Sequence, residues 1–260
     1  MTGSDGFLPG VPLPERPGKV VAVHLAYRSR ADQRGRRPDA PSYFLKPSSS
    51  IGPSGGTIER PLGTELLAFE GEIALVVGRA ARWIRPDDAW SHIRWVTAAN
   101  DFGLYDLRSA DRGSNLRSKG GDGFTPIGPA LLPAGGLDPA ALRIRTWVNG
   151  AIAQEDTTAD LLFPFARMIA DLAQHLTLEP GDVLLTGTPA GSSVVAPGDV
   201  VEVEVDAPDA EGAPSTGRLR TTVVAGTHGF DPALGSLPAA DDVQRAEAWG
   251  AADAVPDRAR

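Results

Sequence analysis

A predominantly β, α+β fold is predicted by three features of the 260-residue chain. Short β-branched and apolar runs recur along its length, Pro-Gly-Asp turns punctuate its second half, and one long stretch keeps a clear helical period. The length suits one large domain, or one domain with an appendage, and is ample for a hydrophobic core.

In residues 1–17, Gly3, Gly6, Pro9, Gly10, Pro12, Pro14 and Pro17 forbid a stable helix or central strand, so an arm or linker is expected. Residues 19–25 (KVVAVHL) form a strand by their β-branched, apolar character. From 27 to 40 the chain is polar and basic, a surface loop or short helix suited to act as a lid. The short apolar run 43–45 ends at Lys46-Pro47, and residues 48–63 are rich in turn formers. Residues 68–77 (AFEGEIALVV) predict one strand ended by Gly78. Pro86 opens a helix with Asp87 and Asp88 in its first turn, where carboxylates suit the helix dipole.

Residues 93–99 predict a further strand that delivers Asn100-Asp101 at its end, and 108–128 is Gly- and charge-rich, as active-site loops are. Residues 142–148 alternate as a half-exposed strand, and Asn149-Gly150 turns them into a return strand at 151–154. Residues 161–176 read as a helix with Phe165, Ile169, Leu172 and Leu176 on one stripe. Strands follow at 183–186 and 200–205, the latter pairing with 219–224. From about Asp231 the Ala/Asp-rich remainder predicts a helical or frayed appendage. The organisation expected is thus an arm (1–17), a main domain (18–228) and an appendage (229–260). No repeat of solenoid period occurs.

Composition narrows the chemistry. Without cysteine there is no disulfide, thiolate zinc site or cysteine nucleophile. The four histidines (His24, His92, His175, His228) form no H-x-x-x-H pair. Carboxylates remain as natural ligands, pointing to a hard ion such as magnesium, manganese or calcium. A net charge of −8 argues against nucleic acid as a partner, the short arginine-rich stretch 28–37 notwithstanding. No signal peptide and no apolar run of ~18 residues is evident, so a soluble cytoplasmic protein with no membrane partner is expected.

Glu70 and Glu72 stand two apart in an apolar strand, so both carboxylates project from one face. Side by side they repel, and their burial demands compensation, which a divalent cation supplies. A wet face, or pairing with arginines, is the alternative. Asp101 is a candidate third ligand, although Asn-Asp also ends strands as ordinary turn chemistry. Lys119 sits in S-K-G-G-D-G, where glycines permit close approach to a ligand; a solvated loop lysine is the alternative. No phosphate-binding glycine motif and no serine elbow is present.

The ordered set of motifs resembles the fumarylacetoacetate hydrolase family. It comprises F-L-K-P (44–47), F-E-G-E-I-A-L-V-V-G (69–78), A-N-D (99–101), S-K-G-G-D-G-F-T-P-I-G-P (118–129), V-N-G with Gln154, L-x-P-G-D-V-L-L-T-G-T-P (178–189) and P-G-D-V-V (197–201). The resemblance implies a mixed β-roll of that family's C-terminal-domain type, commonly a homodimer, binding Mg2+ or Mn2+ through Glu70, Glu72 and Asp101. It places the family's lysine at Lys119, the threonine that contacts the substrate carboxylate at Thr188, and a polar substrate contact at Gln154. Hydrolytic members carry a water-activating histidine and glutamate on the lid; here those positions hold Arg30 and Gln33. Arginine stays protonated and cannot serve as that base. Asp32 nearby is a poor substitute, and Tyr105-Asp106 replaces the family's R-D.

These departures resemble the branch containing 5-carboxymethyl-2-oxo-hex-3-ene-1,7-dioate decarboxylase and 2-hydroxyhepta-2,4-diene-1,7-dioate isomerase of homoprotocatechuate breakdown. The expected substrate is a small 2-oxo acid, with Lys119 beside the developing enolate and Arg30 as a planar fork for the distal carboxylate. C–C hydrolysis of an acylpyruvate or fumarylacetoacetate-like compound, oxaloacetate tautomerisation or decarboxylation, and a catalytically silent binding member are the alternatives.

Overall fold

The computed structural model describes residues 8–250; residues 1–7 of the expected arm and 251–260 of the expected appendage lie outside the described residues. In chain order the elements begin with β1 (Val20–His24), α1 (Arg28–Gln33), β2 (Ser42–Lys46), β3 (Ile51–Gly52), β4 (Gly56–Leu62), β5 (Leu67–Ala68) and β6 (Gly71–Val77). Next come α2 (Pro86–Ala89), β7 (Ile93–Asn100), β8 (Gly103–Leu104), α3 (Arg108–Asp111), α4 (Leu116–Lys119), β9 (Thr125–Pro133), β10 (Arg143–Val148) and β11 (Ala151–Thr157). The remainder is α5 (Phe165–His175), β12 (Val183–Leu185), β13 (Val200–Asp206), β14 (Leu219–Gly229) and α6 (Asp242–Trp249). The fold is α+β and predominantly β, as expected. Among the described residues no helix is long and apolar enough to cross a membrane.

Two curled sheets make the body. A seven-stranded mixed sheet runs β2-β1-β12-β6-β7-β9-β3, and a five-stranded sheet runs β11-β10-β13-β14-β4. The apolar run of β6 has a simple cause: both of its faces are buried. Ile73, Leu75 and Val77 join the main core with Ile144, Val203, Val205 and the α5 residues Met168, Ile169 and Leu172. Ala74 and Val76 join a second core on the other face, where Val11 and Leu13 of the N-terminal arm pack. The described part of the arm therefore covers the sheet rather than trailing from it.

Several boundaries differ from the sequence reading. β4 lies inside the expected turn-rich stretch, and its Pro61 is tolerated because β4 is an edge strand, paired in parallel with β14 alone. β9 emerges from the expected loop despite Pro126, Pro129 and Pro133, and its pairing with β7 is irregular between Val96 and Ala98. The expected helix over 161–176 starts only at Phe165. Pro164 disfavours helix in the residue before it, and Leu162 N–H donates instead to Ala26 O at 2.7 Å. The expected Pro86 helix is a single α-helical turn followed by a 3-10 turn.

Gly71 sets the separation of the two sheets at one point. A Cβ there would run into Thr146 Oγ1 of β10 and lie 3.1 Å from Gln154 Oε1 of β11. Thr146 Oγ1 is itself buried without a hydrogen-bond partner. Gly71→Ala should therefore lower the unfolding free energy by about 1–3 kcal/mol, the usual range for overpacking. Adding Thr146→Ala should restore more than half of that loss. Urea denaturation of the single and double variants measures both, and an undiminished loss in the double variant would disprove the contact.

Candidate active site

Pairing of β6 with β7 builds the site. The register sets Gly71 opposite Asn100 and Glu72 opposite Ala99, which brings residues 70 and 101 side by side. The strand expected over 68–77 is in fact broken at Phe69-Glu70. The chain leaves the β5–β8 pair at Ala68 and joins the large sheet at Gly71. Polar groups from the end of β7 hold this break: Glu70 N–H donates to Asn100 Oδ1 (2.9 Å), and Asp101 N–H donates to Glu70 O (2.8 Å). The result converges on one point, with one ligand atom from each of Glu70, Glu72 and Asp101 lying within 4.8 Å of the others.

Three carboxylates so close need positive charge. Lys119 Nζ reaches Glu70 Oε2 at 2.6 Å, Asp101 Oδ2 at 3.0 Å and Asp101 O at 2.7 Å. Lys46 Nζ bonds Asp101 Oδ1 and donates to Phe124 O at 3.1 Å. Burial opposes the charge on Lys119, but Asp101 and Glu70 outweigh it and raise its pKa, so it is an ammonium, not a base. Burial likewise opposes ionisation of Glu70. Lys119 and Arg30, with hydrogen bonds from Lys119 and Tyr105, override it and hold the carboxyl well below the usual range.

Glu72 is different. It is buried and accepts a hydrogen bond from Gly187 N–H at 2.7 Å. Burial first, then the charges of Asp101 and Glu70, push its carboxyl well above the ordinary range. A carboxylate kept from ionising by like-charged neighbours fits a site completed by a cation. With three hard oxygen donors and no sulfur or imidazole, the set fits magnesium or manganese.

The lysine expected in a loose glycine loop is rigidly mounted. Asp111 accepts from Arg117 N–H (2.8 Å), Ser118 N–H (2.7 Å) and Ser118 Oγ (2.5 Å), which pins α4 and with it Lys119. Thr188 lines the cavity, whereas Gln154 lies behind it. Gln154 Nε2 donates to Thr188 Oγ1 and Pro189 O, both at 2.8 Å, and its Oε1 accepts from Gly71 N–H at 3.1 Å. Gly187 makes this turn possible: its φ is +90°, and a Cβ would lie 2.7 Å from Ala26 Cβ.

Arg30 sits at the carboxylate end of the cavity rather than on an open lid. It is buried, its Nη1 donates to Gln33 Oε1 (2.5 Å), its Nη2 donates to Ser192 Oγ (2.8 Å), and Glu70 lies 3.9 Å away. The fork expected to grip a distal carboxylate is already engaged. Reading of the sequence missed Lys46, although it stands in the F-L-K-P motif. It also missed His24, Arg34 and Arg108, and Tyr105, whose hydroxyl donates to Glu70 Oε1 at 2.7 Å. His24 packs on Phe44 with ring centres 4.6 Å apart. Burial, then Arg108 and Lys119, lower its pKa to about 4, leaving it uncharged at neutral pH. All of these residues border one cavity of about 580 Å³, or touch residues that do.

The raised pKa of Glu72 has a signed consequence. Without a metal, the stability linked to its proton is complete below the ordinary value of 4.5 and is lost as pH rises through the elevated folded value. A divalent ion takes the proton's place, so the rise in melting temperature on adding Mg2+ or Mn2+ should grow between pH 5 and pH 8. Glu72→Gln should flatten that growth. Thermal melts across this range test it; a shift that shrinks with pH would contradict it.

The chain is 38% identical over 196 residues to the 4-hydroxyphenylacetate degradation bifunctional isomerase/decarboxylase of Escherichia coli, covering 75% of this chain and 46% of that protein. The chain thus spans about half the length of curated relatives of this kind. Among solved structures, it is similar to 5-carboxymethyl-2-hydroxymuconate delta-isomerase from Mycobacterium smegmatis, with TM-score 0.73 and 33% identity over 82% of this chain and 79% of that one. It is also similar to 2-hydroxyhepta-2,4-diene-1,7-dioate isomerase from Mycobacterium marinum, with TM-score 0.71 and 32% identity over 83% and 77%. The family described as fumarylacetoacetate (FAA) hydrolase C-terminal matches residues 19–224, and this chain belongs to it.

Proposed function

We propose that this protein is a divalent-metal-dependent decarboxylase/isomerase of 2-oxo or 2-hydroxy-dienoic dicarboxylic acids, acting in aromatic-compound catabolism. The observation that carries this reading is the Arg30–Gln33 contact. Where hydrolytic family members hold a water-activating histidine and glutamate, this chain holds an arginine and a glutamine bonded to each other at 2.5 Å. Neither accepts a proton from water at neutral pH. The names of the relatives, isomerases and decarboxylases of 4-hydroxyphenylacetate and homoprotocatechuate breakdown, support the same choice over C–C hydrolysis.

Glu70, Glu72 and Asp101 would hold a magnesium or manganese ion, which would supply Lewis acidity to the bound 2-oxo acid. The chain's own residues do the rest. When the bond to the departing carboxylate breaks, its electron pair moves into conjugation with the 2-oxo group, and carbon dioxide leaves. Lys119, fixed as an ammonium, places positive charge where that enolate develops. Thr188 accepts a hydrogen bond from Gln154, so its own hydroxyl proton is free to hold the substrate's C1 carboxylate. Arg30 adds fixed charge beside Glu70. In the isomerase reaction a proton leaves one carbon of the conjugated chain and returns to another, and the uncharged His24 on the cavity wall is the group we assign to take it up and give it back.

Carbon dioxide release from an unsaturated 2-oxo dicarboxylate is expected with added Mg2+ or Mn2+, and should vanish after chelation. Pyruvate release from acylpyruvates should be negligible; if it is the faster reaction, the hydrolase reading replaces this one. Oxaloacetate belongs in the same panel, since it needs only the chelating end of the site. Lys119→Met should lower kcat roughly 10²–10³-fold, the scale of losing one charge-stabilising donor. An unchanged kcat would remove Lys119 from the mechanism.

A further inference from the structure

Beside the carboxylate cluster, the cavity wall around Tyr105 has its own charge pattern. Arg34 and Arg108 flank the Tyr105 ring, their guanidinium carbons 5.9 and 4.7 Å from its centre, and both border the cavity. The hydroxyl of this ring holds Glu70. A molecule held at the carboxylate cluster therefore has two guanidinium groups beside it on the Tyr105 wall. Arg34 donates to the Tyr105 hydroxyl at 3.2 Å, and no carboxylate pairs with it among the described residues. Arg108 pairs with Glu247 of α6 at 3.5 Å. Asp242, also on α6, borders the cavity as well.

The Arg108–Glu247 pair is built to be exchanged. Its side chains are 29% and 43% exposed, and a pair so open to water contributes little to stability. Helix α6 does not depend on it. Arg245 pairs with Glu65 at 2.9 Å, Ala239 N–H donates to Asp106 O at 2.8 Å, and Ala248 is buried against Leu66, Ala68 and Tyr105. The helix can stay docked while the Glu247 carboxylate leaves.

We propose that Arg34 and Arg108 bind the distal carboxylate of the substrate, and that Glu247 stands in for that carboxylate until the substrate displaces it. This rests on the reading above, in which the 2-oxo acid end of the substrate lies at Glu70, Glu72 and Asp101. Two planar guanidinium forks on one carboxylate outmatch the single, solvent-screened contact from Glu247, so exchange favours the substrate. The same arrangement selects dicarboxylates over monocarboxylates, because an apolar tail cannot replace Glu247 on Arg108 and gains nothing from Arg34. The appendage thereby belongs to substrate selection as well as to the fold.

The test is binding to the intact, Mg2+-loaded protein by calorimetry, with three probes. Oxalate reads the chelating end alone, 2-oxohexanoate adds an uncharged tail, and 2-oxoadipate is the same length with a distal carboxylate. Wild type should bind 2-oxoadipate at least roughly tenfold more tightly than 2-oxohexanoate. Arg108→Gln and Arg34→Gln should each erase most of that preference while leaving the oxalate Kd within about twofold. Glu247→Gln should tighten 2-oxoadipate several-fold and leave the other two unchanged. If oxalate binds but both arginine variants keep the preference, or Glu247→Gln weakens 2-oxoadipate, this inference is overturned and the catalytic reading stands. If oxalate fails to bind wild type, both fall together.

Discussion

Three carboxylates confined within a few ångströms are the constraint on which the rest of the structure depends. No polypeptide folds around such a cluster without supplying opposite charge, because burial and mutual repulsion act in the same direction. The chain meets the demand from separate elements: Lys46 closes β2, Lys119 closes α4, and Arg30 stands on α1. Each is nearly sealed from solvent, so these ion pairs are not interchangeable surface contacts. Removing one partner would strand the charge of the other, and that cost makes the site rigid.

The architecture around the cluster is explained by the need to hold it. β6 is buried on both faces, so its only carboxylate, Glu72, is fixed by the sheet itself. The break at Glu70 is tied to the end of β7 by a side-chain and a backbone hydrogen bond, which couples two of the three acids directly. Gln154 links this region to the T-G-T-P turn through one amide group that serves Gly71, Thr188 and Pro189 together. The glycines at 71 and 187 are needed because their neighbours approach too closely for a side chain.

Beyond the cluster the cavity changes character, from fixed, buried ion pairs to half-exposed ones. The Arg30–Glu70 pair belongs to the first regime and Arg108–Glu247 to the second. This gradient has a physical logic. Atoms that polarise the reacting group gain from immobility in a low-dielectric pocket, whereas groups that admit and release a charged substrate gain from weak, water-screened contacts.

The β-rich class, most strands, α5 and the carboxylate triad were legible in the sequence because each rests on local pattern or motif: alternation, turn dipeptides, the E-x-E spacing and A-N-D. The misreadings have equally specific causes. β4 and β9 carry prolines that argue against a strand, and only an edge position or an irregular pairing makes them acceptable. The break at Glu70 is invisible in a continuous apolar run, since long-range hydrogen bonds from Asn100 and Asp101 create it. Lys46, Tyr105, His24 and Arg108 come from distant segments, and no local period marks a residue whose role depends on what lies across a cavity. The sequence by itself determined which chemistry is available: hard oxygen ligands, a lysine, and an arginine and glutamine in place of a water-activating pair. Tertiary structure alone decided which charges meet, that Arg30 faces Glu70, and that α6 brings Glu247 to Arg108. Electrostatic pairing acts through space over a few ångströms, between residues that chain order keeps far apart.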